Sequence, residues 1–539
     1  MPAQTRSEPI RLAELVAALS LGIDLGFGQP MEHVLRQCLI ALRLADRIGL
    51  DESARATVYY TSLLVNVGCH SDAHEQAKWF GDDIALKARK YEPEFQGGLR
   101  AALAGLSMIG AGHAPLHRFR VGLEFLISGH RDVDHMISSH AQLAKLLAQQ
   151  LGLPEAVLDS VGSAYEQWNG RGWPGVRKGE NVPIAARIAQ VAEFVEVAHR
   201  MGGIDAVAAL CRARSGKQFD PMLASLLCER ARDIFDGMDS VRAWDAVIAA
   251  EPALGVVLSE EQCDAALHAI ANFIDLKSPH TLGHAVAVAE LCAAAGALLG
   301  LPPNDVRMLR RAGLVHDFGR LGVSNAISDK PGPLGAGEWE RVRMQPYFTE
   351  RMLHQSAALS SLGAIVVQHR ERLDGSGYPR AVAGAAISLP GRILAVADAY
   401  QAMREPRAYR AAHSADQAAT LLRNEVRAAR MDPNAVDAVL SAAGHRVRRR
   451  REGPAGLTVR EVEVLRLLAR GLSTRQIAER LALSPKTAGN HIEHIYAKID
   501  ATNRVTASLF AVQHGLLPED DFLAPSGTEQ SPNYEANSS

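Results

Sequence analysis

The chain has 539 residues, a formal charge of −2 and 47 % hydrophobic content, which supplies several buried cores and excludes a global charge bias toward one class of partner. Six cysteines (Cys38, Cys69, Cys211, Cys228, Cys263 and Cys292) are scattered without CxxC spacing, which argues against a disulfide framework or a zinc knuckle. The absence of an uninterrupted apolar run of about 18 residues, or of a basic-then-apolar start, predicts a cytoplasmic chain with no membrane partner.

In chain order, the first half reads as a worn copy of the second. Ile23-Asp24-Leu25 and His33 lie opposite Ile274-Asp275-Leu276 and His284, a difference of 251, and Leu63 to Gly68 lie opposite Leu314 to Gly319 at the same offset. Further on, Trp168 to Pro174, Arg187 and Glu193 lie opposite Leu373 to Pro379, Arg392 and Asp398, a difference of 205. The change, 251 − 205 = 46, requires an insertion between Cys69 and about Ser139, and Gly and Ala content places it around residues 97–106. The first copy keeps His33, His140 and Glu193 but has Val65-Asn66 where the second has His316-Asp317.

In the second copy, Leu314-Val-His316-Asp317-Phe-Gly319 sets two metal-type ligands side by side at a helix end, with His284 upstream and Asp398 downstream among apolar residues. A buried Asp requires a partner or a cation. Imidazole nitrogen and carboxylate oxygen suit one divalent metal, Mn, Fe, Ni or Zn, which can acidify a water. With Leu373-Asp-Gly-Ser-Gly-Tyr-Pro379 between the pair and Asp398, and with Asp329-Lys330-Pro331-Gly332 and Arg407-Ala-Tyr409-Arg410 in order, residues 258–412 resemble the HD-GYP family of cyclic di-GMP phosphodiesterases.

That resemblance implies an all-helical bundle, a metal quartet of His284, His316, Asp317 and Asp398, and a ligand-binding loop of Asp374, Gly377, Tyr378 and Pro379. Three positions depart from the family: Gln345 and Arg370 stand where histidines usually serve a second metal, and Arg320 replaces a Lys. One metal is therefore expected. Asp317, Arg320 and Arg370 become the candidate catalytic residues, with Arg370 able to grip a phosphate bidentately. Lacking the His-Asp pair, the first copy is read as non-catalytic.

Arg446 to Arg451 opens a basic linker, and residues 446–517 hold 13 Lys and Arg against 6 Asp and Glu, an attractive balance for a phosphate backbone. Thr458-Val-Arg-Glu461 and Ser473-Thr-Arg-Gln476 are successive capping boxes, Gly471 stops the first helix, and Ser484-Pro485 opens a third. On that third helix Ala488, Ile492, Ile495 and Ile499 recur at core spacing, which turns Lys486, Thr487, Asn490, His494 and Lys498 outward. Leu457 to Leu465, Gln476 to Leu481 and Ser484 to Thr487 resemble the LuxR-type DNA-binding domain. The resemblance implies major-groove contacts from Lys486, Thr487 and Asn490, backbone contacts from Lys498 and Arg504, and a fourth helix used in dimer contacts. Gly489 departs from the pattern, and residues 518–539, with five acidic and no basic side chains, read as a disordered tail.

The expected architecture is all-α: two HD-type bundles (10–250, degenerate; 256–445), a basic linker (446–455), a four-helix LuxR-type domain (456–517) and the tail. The expected function is transcription regulation on double-stranded DNA by a homodimer whose HD-GYP-like region senses a cyclic dinucleotide, another phosphorylated small molecule or a partner protein. An active metal-dependent phosphohydrolase carrying a DNA-binding module is the alternative.

Overall fold

The computed structural model describes residues 10–92, 109–110, 115–125, 130–252, 255–446 and 454–517. Among them the secondary structure is helical, with isolated bridges such as Arg11 to Val257 and no strand, so the chain is all-α. No described helix is long and apolar enough to cross a membrane. The inserted segment around residues 97–106, residues 447–453 of the linker and the acidic tail lie outside the described residues.

Helix bounds repeat as the sequence does. In the first half, α1 (Leu12–Gly26), α2 (His33–Arg47), α3 (Glu52–Leu64) and α4 (Ile184–Arg214) frame the core. In the second, α5 (Glu260–Asp275), α6 (His284–Leu298), α7 (Pro303–Val315) and α8 (Leu389–Arg404) take the corresponding places. Both α2 and α3 start and stop 251 residues before α6 and α7, and α4 starts 205 residues before α8.

Local chemistry repeats with them. Asp24 accepts a hydrogen bond from the Val34 amide at 3.1 Å, and Asp275 accepts one from Ala285 at 2.9 Å. Gly68 and Gly319 are required by contact: a Cβ on either would come 2.1 Å from the His140 carbonyl oxygen or 2.0 Å from that of Gln345. The same two chain segments thus touch in each half, despite the extra residues between them in the first.

The chain divides into two compact units, Met1–His445 and Arg446–Ser539. Inside the larger unit the halves are welded by polar as well as apolar contacts. Asp83 is fully buried, accepts hydrogen bonds from the Ser324 hydroxyl at 2.7 Å and the Asn325 amide at 2.8 Å, and lies 3.4 Å from the equally buried Lys277 ammonium. Burial alone would raise its carboxyl, but Lys277, Lys87 and these hydrogen bonds hold it well below the usual range. His74 meets Asp329 at 2.7 Å, and α1 packs against the turn Phe318–Gly322, where a side chain on Gly22 would collide with Met352 and Leu321. The first half therefore buttresses the segment that follows His316-Asp317.

The smaller unit comprises α9 (Val459–Ala469), α10 (Thr474–Arg480), α11 (Pro485–Lys498) and α12 (Arg504–Gln513). Both capping boxes form, and Ser484 caps α11 by accepting from the Thr487 amide at 3.1 Å. Ala488 and Ile495 are fully buried beside Leu457, Val464, Leu465 and Ile477, with Ile492 and Ile499 packed against that core.

Candidate metal centre and DNA-binding face

Helix α7 stops at Val315, His316 is its C-cap, and Asp317 precedes the tight turn Phe318–Gly322. This break brings adjacent residues to one centre, where α6 adds its first residue, His284, and α8 adds Asp398. His284 Nε2 lies 3.4 Å from Asp398 Oδ1 and 4.0 Å from Asp317 Oδ2. His316 Nε2 lies 3.8 Å from Asp317 Oδ1 and 3.9 Å from Asp398 Oδ1. Donors held about 2.0–2.2 Å from one ion stand roughly 3–4 Å apart, so the buried His284, His316 and Asp317 are grouped closely enough for a single cation, with Asp398 beside the two histidines.

The ring orientations fit as well. Nδ1 of His316 donates to the Gly313 carbonyl at 2.7 Å, and Nδ1 of His369 donates to that of Val366 at 2.6 Å. His284 Nδ1 meets Glu405 at 2.9 Å. Such outer bonds aim the opposite nitrogen at a metal. Nε2 of His316, Nε2 of His369 and Oδ1 of Asp398 are all buried without a hydrogen-bond partner.

Electrostatics sort these groups. Burial keeps His316 below its ordinary value, and burial together with Arg370 brings His369 down to about 3, so both rings are neutral donors of a lone pair. Burial opposes charge on His284 too, but the adjacent Asp398 carboxylate and the hydrogen bond to Glu405 prevail and raise it to about 9. Desolvation would raise Asp317 and Asp398. Arg320 leads in depressing the first and Arg370 the second, both well below the usual carboxylate range.

Those two arginines face the ligands directly, Arg320 Nη1 at 2.8 Å from Asp317 Oδ2 and Arg370 Nη1 at 3.1 Å from Asp398 Oδ2. They also line a cavity of about 370 Å³ with Lys330, Arg407, Trp339, Tyr378, Tyr409 and Gln345. Of the loop expected beside the site, Tyr378 reaches this cavity and is followed by Pro379. Gly377 presses against the Arg372 amide, leaving no room for a Cβ. Asp374 is exposed and caps its own turn, accepting from Ser376 N at 3.0 Å.

Sequence reasoning passed over His369 and Glu405. The first stands beside Arg370, and the second lies seven residues, or two helical turns, beyond Asp398; asking which groups orient the quartet would have found both. Lys330, Arg407 and Tyr409 were visible only as motif letters, and Trp339 carried no signal.

At the answering centre in the first half, the Lys90 ammonium lies 2.6 Å from Glu193 Oε1 and 3.3 Å from Asn66 Oδ1. Tyr91 donates to the same Glu193 oxygen at 2.8 Å, as does the Asn66 amide at 2.8 Å. His33 keeps its outer bond, to Glu196 at 2.5 Å, and its Nε2 is buried without a partner. His140 is turned to Asp72, at 2.8 Å.

On the smaller unit, Lys486, Thr487, Asn490 and His494 are exposed along α11. Thr487 Oγ1 lies 2.7 Å from Ser484 Oγ. Lys498 and Arg504, expected on the DNA backbone, also make bonds within the domain. Lys498 bonds Glu461 at 2.7 Å and the Gly456 carbonyl at 3.0 Å, and Arg504 bonds the carbonyls of Gly471 and Leu472. Capping-box carboxylate and helix-end carbonyls are strong acceptors for these cations.

Residues 268–435 match the HD domain, and residues 455–511 match bacterial regulatory proteins of the luxR family. Over 435 residues the chain is 32 % identical to 3′3′-cGAMP-specific phosphodiesterase 3 of Vibrio cholerae serotype O1, covering 80 % of this chain and 94 % of that one. The chain belongs to the HD-GYP phosphodiesterase family. Another HD-GYP relative, cyclic di-GMP phosphodiesterase PA4108 of Pseudomonas aeruginosa, is 34 % identical over 204 residues, 36 % of this chain and 48 % of its own. A crystal structure of a cyclic GMP-AMP specific phosphodiesterase from V. cholerae superposes with a TM-score of 0.57 at 27 % identity, covering 82 % of this chain and 99 % of that one. To this HD-GYP body the chain adds a LuxR-type DNA-binding domain.

Proposed function

We propose that this protein couples recognition of a cyclic dinucleotide to DNA binding. In this reading residues 10–250 and 256–445 are tandem HD-type copies. The second holds one divalent metal of the Mn, Fe, Ni or Zn class on His284, His316, Asp317 and Asp398, and Lys486, Thr487, Asn490 and His494 of a homodimer read double-stranded DNA. The observation that carries it is the cavity: four cations and three aromatic rings converge beside the ligand cluster, and no carboxylate is among the described lining residues. Guanidinium forks suit phosphates and ring faces suit bases. The metal would supply Lewis acidity toward a phosphate oxygen. Arg370 takes the part of a second cation, favouring grip over turnover. A nucleotide then alters DNA occupancy only by preferring one arrangement of the dimer.

The names of the relatives make cyclic GMP-AMP and cyclic di-GMP the nucleotides to try. Calorimetry on the full chain with Mn²⁺ should show saturable binding that Arg370→Ala weakens about tenfold or more. Lys486→Ala combined with Asn490→Ala should abolish specific gel retardation and leave the helical spectrum unchanged. Failure to bind either nucleotide sinks the sensor. A second reading, a one-metal phosphodiesterase, is favoured by the third imidazole, His369, whose Nε2 has no partner. Chromatography that finds rapid conversion to linear dinucleotide would select it.

A further inference from the structure

The first half has lost half of its metal ligands, yet its centre is neither empty nor apolar. Four aromatic rings, Phe27, Tyr91, Tyr165 and Phe194, stand 5.5 to 5.8 Å from the Lys90 ammonium, a distance at which a ring face attracts a cation. The ammonium rests on Glu193 and Asn66, which answer Asp398 and Asp317. Charge is matched in each half. Asp317 and Asp398 suit a dication, whereas Glu193 alone, with Asn66 neutral, suits a monocation. The segment that offsets the two copies supplies it, since Lys90 falls between Cys69 and Ser139.

We propose that Lys90 serves as a tethered substitute for the metal at the place in the first half that answers the metal centre of the second, so that this half keeps its shape without any ion. A buried Val65 stands at the position that answers His316, and His33 retains the outward-bonded geometry of a ligand. A side-chain ammonium cannot polarise a phosphate as a metal does, but neither can it be chelated away. The first half then buttresses α5 and the turn after Asp317 at any metal concentration.

Two experiments on the full chain test this, and neither depends on nucleotide binding. In the first, Lys90→Met and Glu193→Gln are each expected to lower the thermal midpoint by several degrees, while the double variant recovers more than half of the summed loss. Simple additivity overturns the proposal. In the second, Val65→His with Asn66→Asp and Lys90→Ala is dialysed against Mn²⁺ alone, and metal is counted per chain. One equivalent more than in the unaltered protein is expected, and it should survive His316→Ala. Because the count is relative, it holds whether the unaltered chain binds one ion or none. A folded variant with no added equivalent overturns the proposal, as does metal in the unaltered chain that Glu193→Ala removes and His316→Ala does not. Should the triple variant fail to fold, the double-mutant cycle decides.

Discussion

The two halves of the larger unit share helix bounds, close-packed glycines and outward-bonded histidines, but one centre offers imidazole and carboxylate lone pairs while the other is filled by Lys90. The difference shows that the scaffold and the chemistry are separable. Helix starts and backbone contacts persist where His-Asp has become Val65-Asn66, because they are held by Asp24, Gly68 and apolar packing rather than by the ligands. What the worn half retains is the task of supporting the other.

The sharpest way to break this picture is to cut the support. Asp83→Ala should cost about 3–5 kcal/mol in denaturant unfolding, because it strands the buried Lys277 and the Ser324 and Asn325 donors of the opposite half. A loss under about 1 kcal/mol would mean that the halves stand independently. Next in size is the contrast between answering residues. His316→Ala should reduce metal affinity by about 100-fold or more, whereas Val65→Ala should leave metal content unchanged. Equal effects would erase the distinction between the centres.

Comparing Glu193 with glutamine at that position under acid probes the first centre. Burial would raise Glu193, but Lys90, Asn66 and Tyr91 bring it below its ordinary 4.5. Its folded value is thus the lower one, so it contributes stability above 4.5 that is lost as pH falls through the folded value. The stability advantage of the unaltered protein over Glu193→Gln should therefore shrink on acidification from 4.5 downward, as read by urea midpoints. An advantage that does not change with pH would show that Lys90 exerts no hold on the carboxylate.

Much of this was legible in the sequence. Capping boxes and helical spacing gave the LuxR-type helices, and the constant offset gave the paired helices of the larger unit, since both are local patterns. The meeting of His284, His316, Asp317 and Asp398 was legible because adjacent His316 and Asp317 have few structural reasons to exist on an apolar helix end. Lys90 was not, because its partners Asn66 and Glu193 lie 24 and 103 residues away and a lysine in a loop reads as solvated. Nor were the partners that Lys498 and Arg504 have inside the domain legible, because a cation pattern does not name the carboxylate or helix-end carbonyl that accepts from it.

The smallest contrast lies in the backbone. The residue before α2 is Glu32 at φ 80°, and the residue before α6 is Gly283 at φ 75°. The shared fold imposes a left-handed residue on both, but only glycine takes it without a clash between Cβ and carbonyl, a strain of about 1–2 kcal/mol for other residues. A Cβ at 283 would meet nothing within 4 Å, so Gly283→Ala isolates the backbone term. Glu32→Gly should relieve the strain but lose about 0.4–1 kcal/mol to the freer unfolded chain, leaving a net gain of roughly 0.5–1 kcal/mol. Opposite signs of similar size in urea unfolding would show that the duplicated turn is dictated by the fold. A destabilised Glu32→Gly would instead mean that the glutamate side chain contributes there, and that the two turns have diverged in more than residue type.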